Sequence, residues 1–311
     1  MRTLAIAALL SVATPCLAAP VNLPINVADG ATWIIESVRV RVDEVGSATR
    51  RIESGARYQA SYRDGADGGV LTLRPLGGSL YGEVVGAPAL SRSDLPLEVD
   101  VDERLTPLRA RNWPALREAL VALLDAPTAG GPPVDPKVGE TAKAVFRSLP
   151  DERAAAIMFP PLHYLGLGQG RALDPDQPQA YEDQAPNLLG GAPIKTRGSF
   201  VLGSHDRQAG RAVVIWSEAP DPESLSASIR EANKALIAKT GPAGRDDVAD
   251  KAIGQMSTAS RDDRCRFEID IPSGLAVKTE CASTIGMSVP GEPPARSTTT
   301  WTITQTLPEK R

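Results

Sequence analysis

Chemically reactive side chains are scarce in this sequence, which contains only two histidines and three cysteines among 311 residues. His163 and His205 are far apart in the chain, and neither lies in a metal-binding pattern such as H-E-x-x-H. The G-x-S-x-G turn of serine hydrolases and the S-x-x-K motif are both absent. We therefore expect no catalytic residue, no metal site and no cofactor.

Aromatic residues are also few, at 4% of the chain, which is low for a cleft that binds sugars. Pairs of carboxylates are present at Asp100/Asp102, Asp174/Asp176 and Asp262/Asp263. A glycosidase-type hydrolase needs two carboxyl groups that face each other across a cleft. A carboxylate-based hydrolase is therefore kept as the third of three function hypotheses.

No apolar run in the sequence reaches the roughly 20 residues that a membrane-spanning helix needs. The apolar stretch at residues 4–13 follows Arg2 and precedes Pro15 and a group of small residues, a pattern typical of a cleavable secretory signal. We predict that residues 1–18 are a signal peptide, that the mature protein is periplasmic or secreted, and that it has no transmembrane segment. Because Pro15 rather than a small residue precedes Cys16, we expect no lipid anchor there.

Neither sign of charge dominates, since 34 basic and 38 acidic residues give a formal net charge of −4. Proteins that bind nucleic acid usually present a basic surface, so we expect no nucleic-acid partner. Six arginines lie in or near the first two long predicted strands: Arg39, Arg41, Arg50, Arg51, Arg57 and Arg63. We expect a solvated face on which they pair with Glu98, Asp100 and Asp102. The alternative is a site for an anionic ligand or a membrane surface.

Removal of the signal leaves two cysteines, Cys265 and Cys281, for which an oxidising compartment predicts a disulfide. The segment Pro272-Ser273-Gly274 between them is typical of a three-residue hairpin loop that ends in a left-handed glycine. A hairpin centred on Ser273 places Cys265 directly opposite Cys281.

The same register sorts the remaining hairpin residues into two faces. The apolar face carries Cys265, Phe267, Ile269 and Ile271 opposite Leu275, Val277, Thr279 and Cys281. The other face places Arg266 opposite Glu280 and Glu268 opposite Lys278. An apolar face and a charge-paired face from a single assumption support this register and therefore the disulfide.

Hydrophobic periodicity divides residues 19–311 into three parts of one predicted domain. Residues 19–112 predict an antiparallel β meander, residues 113–187 predict helices and a long loop, and residues 188–311 predict strands with one helix and the disulfide hairpin. The G-x-G-x-G sequence at 166–170 follows no predicted strand and begins no helix, so it predicts a flexible loop and not a phosphate site. The fold class we predict is α+β, with a large curved, mostly antiparallel sheet and central helices packed on its concave face.

This order of elements resembles the clamshell, or half-barrel, of bacterial periplasmic lipoprotein carriers over most of the mature chain. Those carriers hold lipid acyl chains between sheet and helices, so the resemblance implies an elongated cavity lined by aliphatic side chains. The resemblance rests on element order and transfers no functional residue. The first function hypothesis is a non-catalytic periplasmic or secreted protein that binds or carries a lipid or other apolar ligand. The second is a structural or protein-interaction module of the cell envelope, with an envelope protein as partner.

Overall fold

The computed structural model describes residues 19–65, 68–81, 95–125, 136–175, 177–185, 193–240, 258–288 and 291–307. The predicted signal peptide at residues 1–18 lies outside these ranges, as does Asp176. Cleavage of the signal therefore stays a prediction.

Thirteen strands and five helices occur in the described ranges. The strands are β1 (Val21–Leu23), β2 (Thr32–Val45), β3 (Ala48–Gly65), β4 (Gly68–Tyr81), β5 (Leu97–Val101), β6 (Pro107–Ala110), β7 (Arg171–Leu173), β8 (Gln179–Ala185), β9 (Ile194–Asp206), β10 (Arg211–Pro220), β11 (Thr258–Asp270), β12 (Ala276–Ser288) and β13 (Ala295–Thr306). The helices are α1 (Trp113–Asp125), α2 (Pro136–Ser148), α3 (Asp151–Met158), α4 (Pro160–Gly168) and α5 (Pro222–Thr240).

Eleven strands form one antiparallel sheet in the order β6-β5-β4-β3-β2-β13-β12-β11-β10-β9-β8. All its neighbouring strands are consecutive in sequence except β2 and β13. The sheet therefore consists of two meanders that the β2–β13 pair joins, which confirms the predicted antiparallel character. The short strands β1 and β7 form a separate antiparallel pair.

The hydrophobic core lies on one side of the large sheet, which we call the covered face. Along β2, Trp33, Ile35 and Ser37 are buried on this face, whereas Val38 is 43% exposed on the opposite, open face. Leu23 from β1 and other apolar residues from the helices and β7 pack into the same core. The alternating residues of β2 thus predict a strand correctly, but packing determines which of its two faces is buried.

The predicted α+β class, with central helices packed on a concave face, is wrong. Helices α1 to α4 contain only 8 to 13 residues each, whereas β3 alone contains 18. Helix α3 packs mainly on the edge strand β6, and the nine-residue α4 contacts β10, β11 and β12. The β1–β7 pair contributes a further part of the cover. The described chain is consequently a mostly antiparallel β structure in which the helices are few and short.

The predicted loop at the end of 113–187 is wrong as well, because it contains two strands. β7 pairs with β1, and β8 extends the sheet next to β9. The G-x-G-x-G residues end α4 at Gly168 and lead into the buried Gln169, in place of a flexible loop. A Cβ atom on Gly168 would lie 2.3 Å from the Phe267 ring. Glycine at this position therefore lets α4 approach β11 closely.

Buried hydrogen bonds fix the end of α4 to the sheet. The Gln169 side-chain oxygen accepts from the Ala276 backbone N–H at 2.9 Å. The Gln305 side-chain amide donates to the Ala276 carbonyl at 2.8 Å, and the Gln305 side-chain oxygen accepts from Trp33 Nε1 at 2.7 Å. The side chains of Gln169 and Gln305, although buried, therefore have hydrogen-bond partners, as buried amides require.

The hairpin of β11 and β12 contains the predicted disulfide. Cys265 pairs with Cys281 in the ladder, their Cα atoms are 4.1 Å apart, and both side chains are buried. The predicted pairs Arg266/Glu280 and Glu268/Lys278 are also confirmed.

Nearer the turn, the predicted register is wrong by one residue, since Ile269 faces Ala276 and not Val277. An extra residue in β12 produces this β-bulge, and the loop closes between Asp270 and Leu275. The polar groups of Ala276 bond to Gln169 and Gln305, which supply partners that a sequence-based register does not include. The predicted left-handed glycine is Gly274, with a φ of 72°.

Substitution of Gly168 by alanine tests the close approach of α4 to β11. The new Cβ overlaps a fully buried ring, so we expect a loss of about 1–3 kcal/mol in the free energy of unfolding. Gly139→Ala in α2 is the matched control, because a Cβ there meets no atom within 4 Å. It should leave stability unchanged or raise it by up to about 1 kcal/mol. Chemical denaturation measures both, and equal effects would contradict the packing argument.

Removal of the disulfide by Cys265→Ala with Cys281→Ala tests its structural contribution. The bond closes a loop with a sequence separation of 16 residues, so loop closure predicts a loss of about 3 kcal/mol. Denaturation with and without a thiol reductant provides the control. The reductant should destabilise the unmodified protein and leave the double variant unaffected, and a reductant effect of equal size on both proteins would argue against this contribution.

Candidate functional site

Beyond the end of α4, the covered face carries a group of aromatic and charged side chains that we call the Trp301 cluster. Its members come from β2, α4, β11 and β13, and they are Arg39, His163, Tyr164, Arg261, Asp263 and Trp301. The Tyr164 and Trp301 rings lie 6.2 Å apart between centroids, with an interplanar angle of 46°. Both rings are half-buried.

The sheet register aligns the cluster with the disulfide. Trp301 is the ladder partner of both Arg39 and Cys281, and Cys265 is the partner of Trp216. Arg39, Trp301, the cystine and Trp216 therefore form one transverse row on the covered face. Helix α4 begins with two prolines at its first turn and places Tyr164 over Trp301 in this row.

Arg39 has a buried hydrogen-bond donor without an acceptor. Its guanidinium carbon lies 5.5 Å from the centroid of the Trp301 ring, which is a cation–π distance. Its Nε atom is inaccessible to solvent and has no hydrogen-bond partner within the described ranges. Burial lowers the pKa of Arg39, and the nearby positive charge of Arg41 lowers it further.

Asp263 contributes a buried acceptor to the same cluster. One carboxylate oxygen accepts from Arg261 Nε at 2.7 Å, while Oδ1 is buried and has no partner among the residues that the structure describes. The side chain of Asp263 is 6% exposed. Unpaired buried polar atoms are uncommon in folded proteins and call for an explanation.

His163 and Tyr164 both have pKa values shifted by the cluster. The His163 ring is accessible to solvent yet has protein atoms on several sides, and this incomplete hydration lowers its pKa. The charge of Arg261 lowers the His163 pKa further, against the opposing effect of Asp263. Burial raises the pKa of the Tyr164 hydroxyl, and the Asp263 carboxylate adds to this effect.

A second polar network on the covered face differs from the Trp301 cluster because its polar groups bond to one another. Trp216 Nε1 donates to the Tyr181 hydroxyl at 2.7 Å, and that hydroxyl donates to Glu218 at 2.7 Å. The Arg171 guanidinium lies 3.4 Å from the Phe200 ring centroid, and burial lowers the pKa of Arg171 to about 10. Burial also raises the pKa of Tyr181. These mutual contacts account for the network as a structural element.

The predicted solvated face, on which six arginines pair with Glu98, Asp100 and Asp102, is wrong. The arginines divide between both faces of the sheet and pair locally. The ladder register places Arg39, Arg41 and Arg50 on the covered face and the other three arginines on the open face. Arg41 pairs with Asp43, Arg51 with Glu53 and Arg57 with Glu36. The acidic strand β5 is separated from β3 by one strand and from β2 by two, and its Asp100 pairs with Arg109 and Arg111.

The carboxylate pairs do not converge on a cleft in the described residues. Asp100 binds Arg109 and Arg111, and Asp102 accepts from the backbone N–H groups of its own turn. Asp262 and Asp263 are adjacent in a strand and therefore point to opposite faces. His205 lies in the β9–β10 hairpin, away from His163.

The apolar space between the sheet and the helices is small near α1 and α3. A cavity of about 20 Å³ lies among Tyr58, Leu73, Pro75, Leu95, Leu97, Leu116, Met158 and Phe159. This volume is close to that of one water-sized probe, so an acyl chain does not fit there. In the described parts of the chain, no group of three metal-binding side chains was found, and no helix combines the length and apolarity needed to cross a membrane.

Several members of the Trp301 cluster stand out in the sequence, but the sequence does not show that they lie together. Arg39 belongs to the arginine group, and His163 with Tyr164 follows a conspicuous Pro-Pro pair. Asp263 appears as half of a carboxylate pair, and Trp301 interrupts a threonine-rich strand. Because these residues are up to 262 positions apart, only the strand order brings them together.

The titration of His163 tests the environment of the cluster. Because its folded-state pKa lies below the ordinary value of 6.5, the folded protein binds fewer protons than the unfolded chain between these two values. Stability should therefore fall as pH decreases through this window. Imidazole NMR signals should give a midpoint below 6.5 for His163, with His205→Asn used for assignment. His163→Asn should remove the part of the pH dependence that His163 contributes. A midpoint above 6.5 would contradict the incomplete hydration of the His163 ring.

Comparisons with known proteins provide no family for this chain. No family model matches it, and no curated protein matches it. Among solved structures, DynF from the dynemicin pathway of Micromonospora chersina is 7% identical, with 94% of this chain and 87% of that chain covered and a TM-score of 0.20. OccK11 (OpdR) of Pseudomonas aeruginosa is 9% identical, with coverages of 91% and 99% and a TM-score of 0.21. OccK2 (OpdF) of the same organism is 8% identical, with coverages of 90% and 100% and a TM-score of 0.20. Similarities this low support no statement about function.

Proposed function

We propose that this chain is an exported, non-catalytic binding protein that holds an amphipathic, lipid-like ligand on the covered face of its sheet. The observation that carries the proposal is the half-buried Tyr164–Trp301 pair next to buried polar atoms without partners. Aromatic rings supply a large apolar contact, and unpaired polar atoms can bond to a ligand's polar end. The periplasm remains the proposed compartment, on the basis of the N-terminal signal pattern.

Two apolar side chains lie on the covered face beyond Trp301, among polar residues such as Arg41, Ser283 and Thr299. Ile285 is four residues from Cys281 along β12, or about 13 Å, and is 45% exposed. Ile52, in β3, is half-buried and belongs to the same face by register. The apolar part of the ligand would contact the Tyr164–Trp301 pair and, beyond the intervening polar residues, these two isoleucines, so the proposal does not need the elongated internal cavity of the carrier resemblance. The ligand would lie on the sheet and not inside the core.

Trp301→Ala should weaken ligand binding by about tenfold, because it removes a large apolar contact, and a tenfold change corresponds to about 1.4 kcal/mol. Isothermal titration with dodecanoate measures the change. Leu108→Ala is the matched control, since Leu108 is 48% exposed on β6, at one edge of the sheet. This control should bind like the unmodified protein.

Two further measurements complete the test. Native mass spectrometry of protein purified from a bacterial periplasm should show a bound adduct that Trp301→Ala lacks. Acrylamide quenching should report the site directly, because Trp33, Trp113 and Trp216 are buried and Trp301 is the accessible tryptophan. A folded protein with no adduct, no dodecanoate binding and unprotected Trp301 would refute the proposal.

A further inference from the structure

We infer that Arg39 binds an anionic head group of the ligand, a carboxylate or phosphate, next to the apolar contact on Trp301. This inference rests on the proposed function and deepens it, since it names the chemical class of the ligand. It follows from the position of one buried donor, from the charges around it and from its distance to the aromatic pair.

The first argument is hydrogen bonding. A guanidinium carries five N–H donors in a rigid fork and has no acceptor of its own. Arg39 Nε is sealed from solvent and lacks an acceptor within the described ranges, so its N–H has lost water without gaining a partner. Nε itself is too enclosed for a ligand to reach, but the Arg39 side chain as a whole is only half-buried and makes no ion pair or side-chain hydrogen bond among the described residues. An anion can therefore bond to its outer N–H groups, and carboxylates and phosphates match the guanidinium fork best.

The second argument is charge. The nearest carboxylate of the same strand, Asp43, accepts from Arg41 Nε at 2.8 Å and from the Ser297 hydroxyl at 2.6 Å. Asp263, whose charge also acts on Tyr164, is paired with Arg261. The carboxylates around Arg39 are thus bonded to other groups, while Arg41 adds a second positive charge nearby. A negative ligand group lowers the electrostatic cost of burying this guanidinium, whereas a positive one raises it.

The third argument is proximity. The Arg39 guanidinium carbon is 5.5 Å from the Trp301 centroid, and the Tyr164 ring lies 6.2 Å from the same centroid. A ligand in contact with Trp301 therefore has its polar end within reach of Arg39. The other unpaired atom of the Trp301 cluster, Asp263 Oδ1, is an acceptor, so it offers no donor to an anion.

The test uses four probes that share a straight chain of twelve carbons, counting the carboxyl carbon of dodecanoate, and differ in the head group: dodecanoate, dodecyl phosphate, dodecanol and dodecyltrimethylammonium. The full-length mature protein should bind the two anions at least tenfold more tightly than the alcohol and should bind the cation most weakly. Titration calorimetry below the micelle concentration of each probe gives the four affinities. The ratio of the two anion affinities distinguishes a carboxylate head group from a phosphate.

Three variants attribute this preference to Arg39. Arg39→Gln should weaken the anions about tenfold and leave dodecanol unchanged, while Arg39→Lys should recover part of the loss because it keeps the charge without the fork. Arg51→Gln, which removes an exposed arginine from the open face, is the matched control and should have no effect. Thermal melts confirm that each variant is folded before its affinity is interpreted.

The outcomes separate the two proposals. Equal affinity for all four head groups, or equal losses from Arg39→Gln and Arg51→Gln, overturns the head-group inference while the binding function stands. Failure of every probe to bind the folded protein overturns both. Selective loss of anion binding in Arg39→Gln alone supports both.

Discussion

The hydrogen bonds around the backbone of Ala276 are the constraint on which the remaining architecture depends. Gln169 reaches this residue from the end of α4, and Gln305 reaches it from β13, so three separate parts of the chain meet at one residue. A buried donor or acceptor without a partner costs about 1–3 kcal/mol. The bulge in β12 and the position of α4 therefore depend on each other, because the Ala276 N–H next to the bulge and the Gln169 side chain at the end of α4 are hydrogen-bond partners.

This attachment determines where the candidate site forms. With Gln169 fixed and Gly168 against Phe267, the preceding turn of α4 is held over β11 and β12. Tyr164 then packs on Trp301, and Arg39 lies next to the same indole in the neighbouring strand. The buried cystine holds the adjacent positions of the row together, which gives the aromatic pair a rigid base.

Two sets of polar side chains on the covered face differ in whether their members have hydrogen-bond partners within the protein. In the first, Tyr181 connects Trp216 and Glu218 through two short hydrogen bonds, so each of these groups has a partner within the protein. In the Trp301 cluster, by contrast, Arg39 Nε and Asp263 Oδ1 are buried without partners in the described residues. The desolvation cost of those atoms is not offset by bonds within the described residues, and this difference is the observation on which the proposed binding function rests.

The sequence by itself determined the features that depend on short-range patterns. Alternation identified the long β strands, although not β7 and β8, and the charges and apolar residues around Ser273 specified the pairing of Cys265 with Cys281. These predictions succeed because a hairpin register is set by residues close together in the chain.

Only the tertiary structure decided the extent of the helical cover, the β-bulge at Ala276 and the assembly of the Trp301 cluster. Each of these depends on contacts between distant segments, such as Gln169 with Ala276 or Arg39 with Trp301. The alternation of β2 is compatible with burial of either face. The buried face is the one that carries Trp33, whose indole donates to the side chain of the distant Gln305. Local patterns specify strands and turns, whereas the choice of the buried face and of the residues that meet on it is made by long-range packing.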